Sequence, residues 1–147
     1  MFDPNYRPAL WDNVQQAREH YEAVLPLCDI ALPTLEDEAA LWGTPTVEAC
    51  RVQYQQCGIS EVVIKGTQLT AHAFTAKEQW VQAAPPVEAL DTTGAGDAFN
   101  AGYLACRLRG GTLREALTEA QRLSAAVVQH RGAILPRTEY AAMQLGS

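Results

Sequence analysis

Basic residues are scarce in this sequence: 11 Lys and Arg stand against 17 Asp and Glu, for a net charge of -6 and a pI near 5.0. A nucleic-acid surface needs clustered cations to neutralise phosphates, and no such cluster is present. Nucleic acid is therefore not an expected partner. The four cysteines, Cys28, Cys50, Cys57 and Cys106, show no Cys-x-x-Cys spacing and fall among apolar or small residues, so they read as reduced, buried thiols rather than a disulfide framework. His20, His72 and His130 are far apart, with no His-Glu-x-x-His pattern, which argues against a structural metal. No signal-peptide pattern and no apolar run of roughly 20 residues occurs, so no membrane is expected and the chain reads as soluble and cytoplasmic. Gly-Lys-Ser/Thr, the core of a Walker A loop, is missing altogether.

What is present is enough apolar residue for one globular domain: 48% of 147 residues are hydrophobic. The chain opens on Phe2-Asp3-Pro4-Asn5-Tyr6-Arg7-Pro8, read as the end of a strand running into a proline-stiffened loop. Asp12 is the expected N-cap of a helix with Val14, Ala17, Tyr21, Val24 and Leu25 at helical spacing, up to Pro26. Asp29 to Pro33 reads as a short buried strand. Thr34 then caps a helix through Glu36, Asp37, Glu38 and Leu41 to Gly43, its three acids matched to the positive end of the dipole. Thr44-Pro45 starts a third helix, with Val47, Cys50, Val52, Tyr54 and Cys57 inward and Gly58 ending it. Ser60 to Lys65, carrying Val62, Val63 and Ile64, suits the middle of a parallel sheet. Two short antiparallel edge strands follow, at 69–74 and 79–81, with Trp80 packing on the sheet.

The most informative stretch is Asp91-Thr92-Thr93-Gly94-Ala95-Gly96-Asp97-Ala98-Phe99-Asn100-Ala101-Gly102. It opens a helix whose inner face is expected to hold Ala98, Ala101, Gly102, Ala105 and Leu108. Gly94 and Gly96 allow a sharp turn in which successive N–H groups point at one place, and a helix N-terminus adds unpaired donors and a favourable dipole. The stretch reads as a phosphate seat. Asp97, in the first turn, can cap N–H groups, as any such acid does, or can take the proton of a hydroxyl beside a bound phosphoryl group. A dinucleotide fingerprint is excluded because its third glycine would fall on Phe99. After the helix, Gly110-Gly111 form a break and Thr112 caps the next helix, with Leu113, Ala116, Leu117, Ala120, Leu123, Ala126 and Val127 along one side. Thr138 is the expected cap of a last short helix ending at Gly146.

The run from Asp91 to Gly102 resembles the C-terminal signature of the ribokinase-like (PfkB) carbohydrate kinases. That resemblance implies a three-layer α/β/α ribokinase-like domain, mostly parallel with an antiparallel edge. It implies that Asp97 is the catalytic base and acceptor-hydroxyl contact, and that Gly94, Ala95 and Gly96 form the anion hole over the transferred phosphoryl group. The loop from Phe2 to Trp11 is similar to the corresponding loop of 2-keto-3-deoxygluconate kinases in that family, which places Asn5 toward the nucleotide phosphates and Arg7 toward phosphate or a sugar-acid substrate. Thr34-x-x-Asp37 stands where the family carries Asn-x-x-Glu, so Asp37 is a magnesium-linked candidate. Gly66 matches the first glycine of a family Gly-x-x-Gly that skirts the nucleotide, with Leu69 in place of the second. Ala125 to Val128 correspond to a stretch lining the adenine. Asp91 and Thr93, with backbone carbonyls near Gly132-Ala133, correspond to a monovalent-cation site, with potassium the candidate ion.

The resemblance thus implies an ATP- and magnesium-dependent kinase of a sugar acid. Another sugar or nucleoside as acceptor, or a nucleotide-binding module without catalysis, remain alternatives. It covers residues 1–147 but only the C-terminal half of the family's length, so the N-terminal half, with the lid and most sugar contacts, is expected to be missing. The partners expected are ATP, a small sugar substrate, and either that other half or a second copy of the chain.

Overall fold

The computed structural model describes residues 1–44 and 46–145, which fall into two compact units, Met1–Ala83 and Ala84–Ser147. The first is built on a four-stranded sheet of β1 (Ile30–Ala31), β2 (Glu61–Lys65), β3 (Thr70–Phe74) and β4 (Gln79–Ala83), in that spatial order. β1 and β2 run parallel, Ile30 facing Glu61, whereas β2–β3 and β3–β4 are antiparallel. Phe2 adds a parallel bridge on the far side of β1, its N–H donating to Ile30 O at 2.8 Å and its carbonyl accepting from Leu32 N at 2.8 Å. The opening residues thus join the sheet through a single bridge rather than a strand, and the sheet is mixed, with an antiparallel edge two strands deep.

Three helices belong to this unit: α1 (Val14–Val24), α2 (Leu35–Trp42) and α3 (Val47–Gln56). Alternation along β2 puts Val62 and Ile64 on one face, where they join Cys50 and Tyr54 of α3 together with Leu25, Ile59 and Phe74 in one apolar cluster. A second cluster gathers Tyr6, Ala17 and Leu41, with Trp11, Tyr21 and Trp42 packed against it. Several local expectations are corrected. The cap of α1 is Asn13, whose Oδ1 accepts from Gln16 N at 2.9 Å, while Asp12 instead takes the Gln16 side-chain amide at 3.1 Å. Val52 faces outward, because Cys50 and Tyr54, four apart, already define the inner face of α3. Cys28, Cys57 and Cys106 are half-buried rather than buried. Trp80 on the edge strand β4 is exposed. Pro45, expected at the start of α3, lies outside the described residues; Thr46 caps that helix, its hydroxyl accepting from Ala49 N at 3.2 Å.

The second unit consists of α4 (Ala95–Leu108), α5 (Leu113–Val127) and α6 (Arg137–Leu145). The buried side of α4 is Phe99, Asn100, Gly102 and Tyr103; Ala101, Ala105 and Leu108 face solvent. Two aromatics four residues apart bury more apolar area than a row of alanines, so they choose the face. Gly102 lets α5 approach closely: a Cβ there would stand 3.0 Å from Ala120 Cα. Gly110, at φ 85, ends the turn after α4, and Thr112 and Glu115 form a reciprocal capping box at the start of α5. The last helix begins at Arg137, with Tyr140 N donating to Pro136 O at 3.0 Å, so Thr138 lies inside its first turn rather than capping it. Gly146, expected to end that helix, lies outside the described residues. No helix among the described residues is long and apolar enough to cross a membrane.

The acids of α2 are not alike. Glu36 is exposed, Asp37 half-buried, and Glu38 completely buried, accepting from the Tyr54 hydroxyl at 2.8 Å with the Cys50 thiol at 4.0 Å. Burial pushes the Glu38 carboxyl up to about 7, against the opposing pull of the Tyr54 hydrogen bond. A carboxyl raised in the folded state favours folding while protonated, so its contribution is complete below its ordinary value of 4.5 and is lost as pH rises through about 7. Wild-type stability measured by urea unfolding should fall by on the order of 3 kcal/mol across that window, and Glu38→Gln should remove most of the slope. An equal slope in the variant would show that Glu38 does not titrate in this range.

Candidate active site

Helix α4 starts without a side-chain cap, because its N-cap is Gly94, held at φ 77 in the left-handed region. The turn cannot relax: a Cβ on Gly94 would lie 2.7 Å from Ala133 Cβ and 2.8 Å from Ala133 O. Glycine is required there twice over, for its dihedral and for the approach of residue 133. Gly96 is the opposite case, since a Cβ there would meet nothing within 4 Å. The space beside Gly96 is open. At the second and third positions of the helix the N–H groups of Gly96 and Asp97 have no intrahelical acceptor, and Ala95 N donates to Thr92 O at 3.2 Å. Asp97 is exposed in this first turn. Open amides, a helix dipole and an accessible carboxylate thus share one short segment.

A second set of contacts keeps that segment in place. The Asp91 carboxylate accepts from Thr93 N through Oδ1 and from Gly132 N through Oδ2, each at 2.9 Å. Those two donors, with the Thr93 hydroxyl, hold it at about 2, well below the usual carboxylate range. Val128 O accepts from Leu90 N at 2.7 Å and Asp91 N at 3.1 Å, and the Ser124 hydroxyl donates to Ala95 O at 3.0 Å. Ala125 and Val128 are both buried in this unit.

The remaining expected residues lie in the first unit, at the carboxyl ends of its parallel strands, where open α/β sheets bind ligands. Asn5 is exposed at φ 40, and its N–H donates to Asp3 Oδ1 at 3.2 Å. Arg7 Nη1 donates to Tyr6 O at 2.9 Å and stands 3.7 Å from Asp37 Oδ1. Burial raises the Asp37 carboxyl and Arg7 opposes the rise. Thr34 forms the N-cap of α2 through its carbonyl, with no bond from its hydroxyl to the helix. Gly66 ends β2 with its N–H on Thr70 O at 2.7 Å, and a Cβ there would crowd that oxygen at 2.9 Å. Arg7 and Asp37 are thus brought together, and Asp3 and Lys65, which sequence reading did not single out, join them: Lys65 Nζ meets Asp3 Oδ2 at 3.0 Å. Only the strand ends could have hinted at that pair, whose members are far apart in the chain.

A model of the pfkB family carbohydrate kinases matches residues 1–139. The chain belongs to that family. It is 40% identical over 141 residues to the 2-dehydro-3-deoxygluconokinase of Escherichia coli K12, a match covering 93% of this chain and 46% of that one. Among solved structures, an E. coli protein described as a ribokinase II, in complex with ATP and Mg2+, superposes with a TM-score of 0.79 at 34% identity, over 90% of this chain and 42% of the other. The aminoimidazole riboside kinase of Salmonella enterica, complexed with aminoimidazole riboside and an ATP analogue, gives 0.81 at 26% identity, over 97% and 51%. The three-layer α/β/α ribokinase-like class expected from sequence is therefore the fold, and the chain spans about half the length of the relatives it matches.

The geometry makes two positions sensitive in opposite directions. Gly94→Ala should destabilise the chain by at least about 2 kcal/mol in thermal or urea unfolding, since a left-handed dihedral and a clash act together. Leu69 takes φ 56, a dihedral that favours glycine, and it is exposed. Leu69→Gly should stabilise by up to about 1 kcal/mol by the same measurement; a loss would mean the side chain offsets its backbone strain.

Proposed function

We propose that residues 1–147 form a single functional domain, the nucleotide-binding and catalytic half of a magnesium- and ATP-dependent kinase that phosphorylates a hydroxyl of 2-keto-3-deoxygluconate, the 2-dehydro-3-deoxygluconate in its relatives' names. The observation that carries this is the uncapped, glycine-opened start of α4 with Asp97 exposed on it. In this reading Asp97 accepts the proton of the attacking hydroxyl as the oxygen attacks the γ-phosphorus of ATP and ADP leaves. The open amide of Gly96, with those of Gly94 and of Ala95, the last on exchanging Thr92 O for a phosphoryl oxygen, stabilises charge on the moving phosphoryl group. Asn5 and Gly66 contact the nucleotide phosphates, Ala125 and Val128 line the base, and Arg7 meets phosphate or the acceptor carboxylate through its forked donors.

Asp37 suits magnesium, as a half-buried hard oxygen donor whose contact with Arg7 is long enough to leave an oxygen available. Bound there with the nucleotide, the ion would supply charge neutralisation on the phosphates. Asp91 and Thr93 suit a monovalent cation such as potassium, because each Asp91 oxygen keeps a second lone pair beyond the N–H it accepts. The compartment consistent with these substrates is the cytoplasm.

The matched relatives are about twice as long as this chain, which favours a second reading: a fragment that binds nucleotide weakly and transfers phosphate only when completed. Phosphotransfer must hold both substrates in line and exclude water, and one half of a site does neither alone. The completing partner would be the other half of the fold or a second copy.

The test is phosphotransfer from magnesium-ATP to a panel of sugar acids, sugars and nucleosides, with this chain alone and joined to the N-terminal half of a matched relative. The joined form should prefer the sugar acid, and Asp97→Asn should cut its turnover by about 100-fold or more while nucleotide affinity stays within a few-fold. Turnover intact in Asp97→Asn would remove the assigned base. Preference for another sugar or nucleoside would change the acceptor, and nucleotide binding without transfer in the joined form would leave a binding module.

A further inference from the structure

The loop of residues 3–7 depends on one carboxylate. Asp3 Oδ2 takes the Lys65 ammonium at 3.0 Å, and Asp3 Oδ1 accepts from Asn5 N at 3.2 Å. Both ends of this bridge are anchored in the sheet. Phe2, just before Asp3, is paired to Ile30 and Leu32, and Lys65 N donates to Pro33 O at 2.9 Å. The two residues therefore reach toward each other across the end of β1, from strands that do not pair with one another. Their side chains are mostly covered, at 21% and 14% exposure, so the contact is less screened than a surface ion pair. Asn5 meanwhile sits at φ 40, a dihedral that costs energy unless its surroundings impose it. Pro4, whose carbonyl accepts from the Tyr21 hydroxyl at 2.8 Å, restrains the same turn from the other side.

We propose that Asp3 and Lys65 are positioning residues, a clamp that holds the 3–7 loop so that Asn5 and Arg7 are presented to the phosphates of the nucleotide. This rests on the assignment of Asn5 and Arg7 made above, and it gives a role to two residues which that assignment leaves out. The clamp carries no proton and touches no reacting atom. Its chemistry is orientation: one oxygen spent on a fixed cation, the other on the amide that sets the loop.

The experiment compares Asp3→Asn, Lys65→Met and Lys65→Arg with the wild-type chain, all well below their unfolding temperatures. Two signals are read: the Asn5 amide resonance without ligand, and the affinity for magnesium-ATP by titration. Asp3→Asn and Lys65→Met should shift the Asn5 amide, raise its exchange with water, and weaken magnesium-ATP by about tenfold, the loss of one oriented charge-assisted contact. Lys65→Arg should restore affinity to within about threefold, because a guanidinium can still meet the carboxylate. A merely structural pair would lower the unfolding temperature and leave affinity unchanged. Affinity at wild-type level in both Asp3→Asn and Lys65→Met, or an Asn5 amide that does not move, overturns the proposal. If wild-type chain binds no magnesium-ATP, the kinase reading fails instead, and the amide, which needs no ligand, still decides whether the clamp exists.

Discussion

The approach of residue 133 to Gly94 is the constraint on which the second unit turns. No side chain fits between them, so the backbone at the start of α4 has a single available course. Asp91 fixes the same course from the other side, one oxygen on its own loop and the other on Gly132. With the carbonyl of Val128 taking two amides, the turn is tied to the end of α5 at several points. Fixing a loop this way spends its conformational entropy during folding, so that little would remain to be spent on the anion proposed to bind there. Preorganised amides are what a developing phosphoryl charge requires.

The first unit meets a similar demand with charge instead of close packing. Asp3 follows the bridge at Phe2, Asp37 lies in the helix after β1, and Lys65 ends β2. Parallel strands deliver their carboxyl ends to one edge, and this chain places two acids and two bases among those ends. The four charges sum to zero, which lets them stand close together without repelling the compact state. Glu38, next to Asp37 in sequence, takes no part in that cluster. One step around the helix turns it into the core, where Tyr54 is its partner.

β2 explains why one short sheet serves both purposes. Its parallel edge joins β1, and its antiparallel edge opens a hairpin through Gly66. The turn that follows holds Gln68 and Leu69 in left-handed conformations, strain kept by two residues that carry a Cβ.

Features set by one residue's own backbone or by neighbours within a turn were legible in the chain: the glycine-opened start of α4, the stops at Gly43 and Gly110, the Thr112 cap, and the placing of Asp97 on the first turn of α4. Their physics is local, so composition and spacing suffice. Features that depend on which of several adequate candidates wins were not. Asn13 displaced Asp12 as a cap, Phe99 and Tyr103 displaced the alanines as the inner face of α4, and Glu38 went fully inside while Asp37 stayed half-buried and Glu36 exposed. The pairing of Asp3 with Lys65 needed the sheet itself, since nothing in the spacing of two residues on separate strands says that their side chains will meet. Local stereochemistry was written in the residues; burial and long-range charge pairing were decided only when the elements packed, because both are properties of what lies opposite.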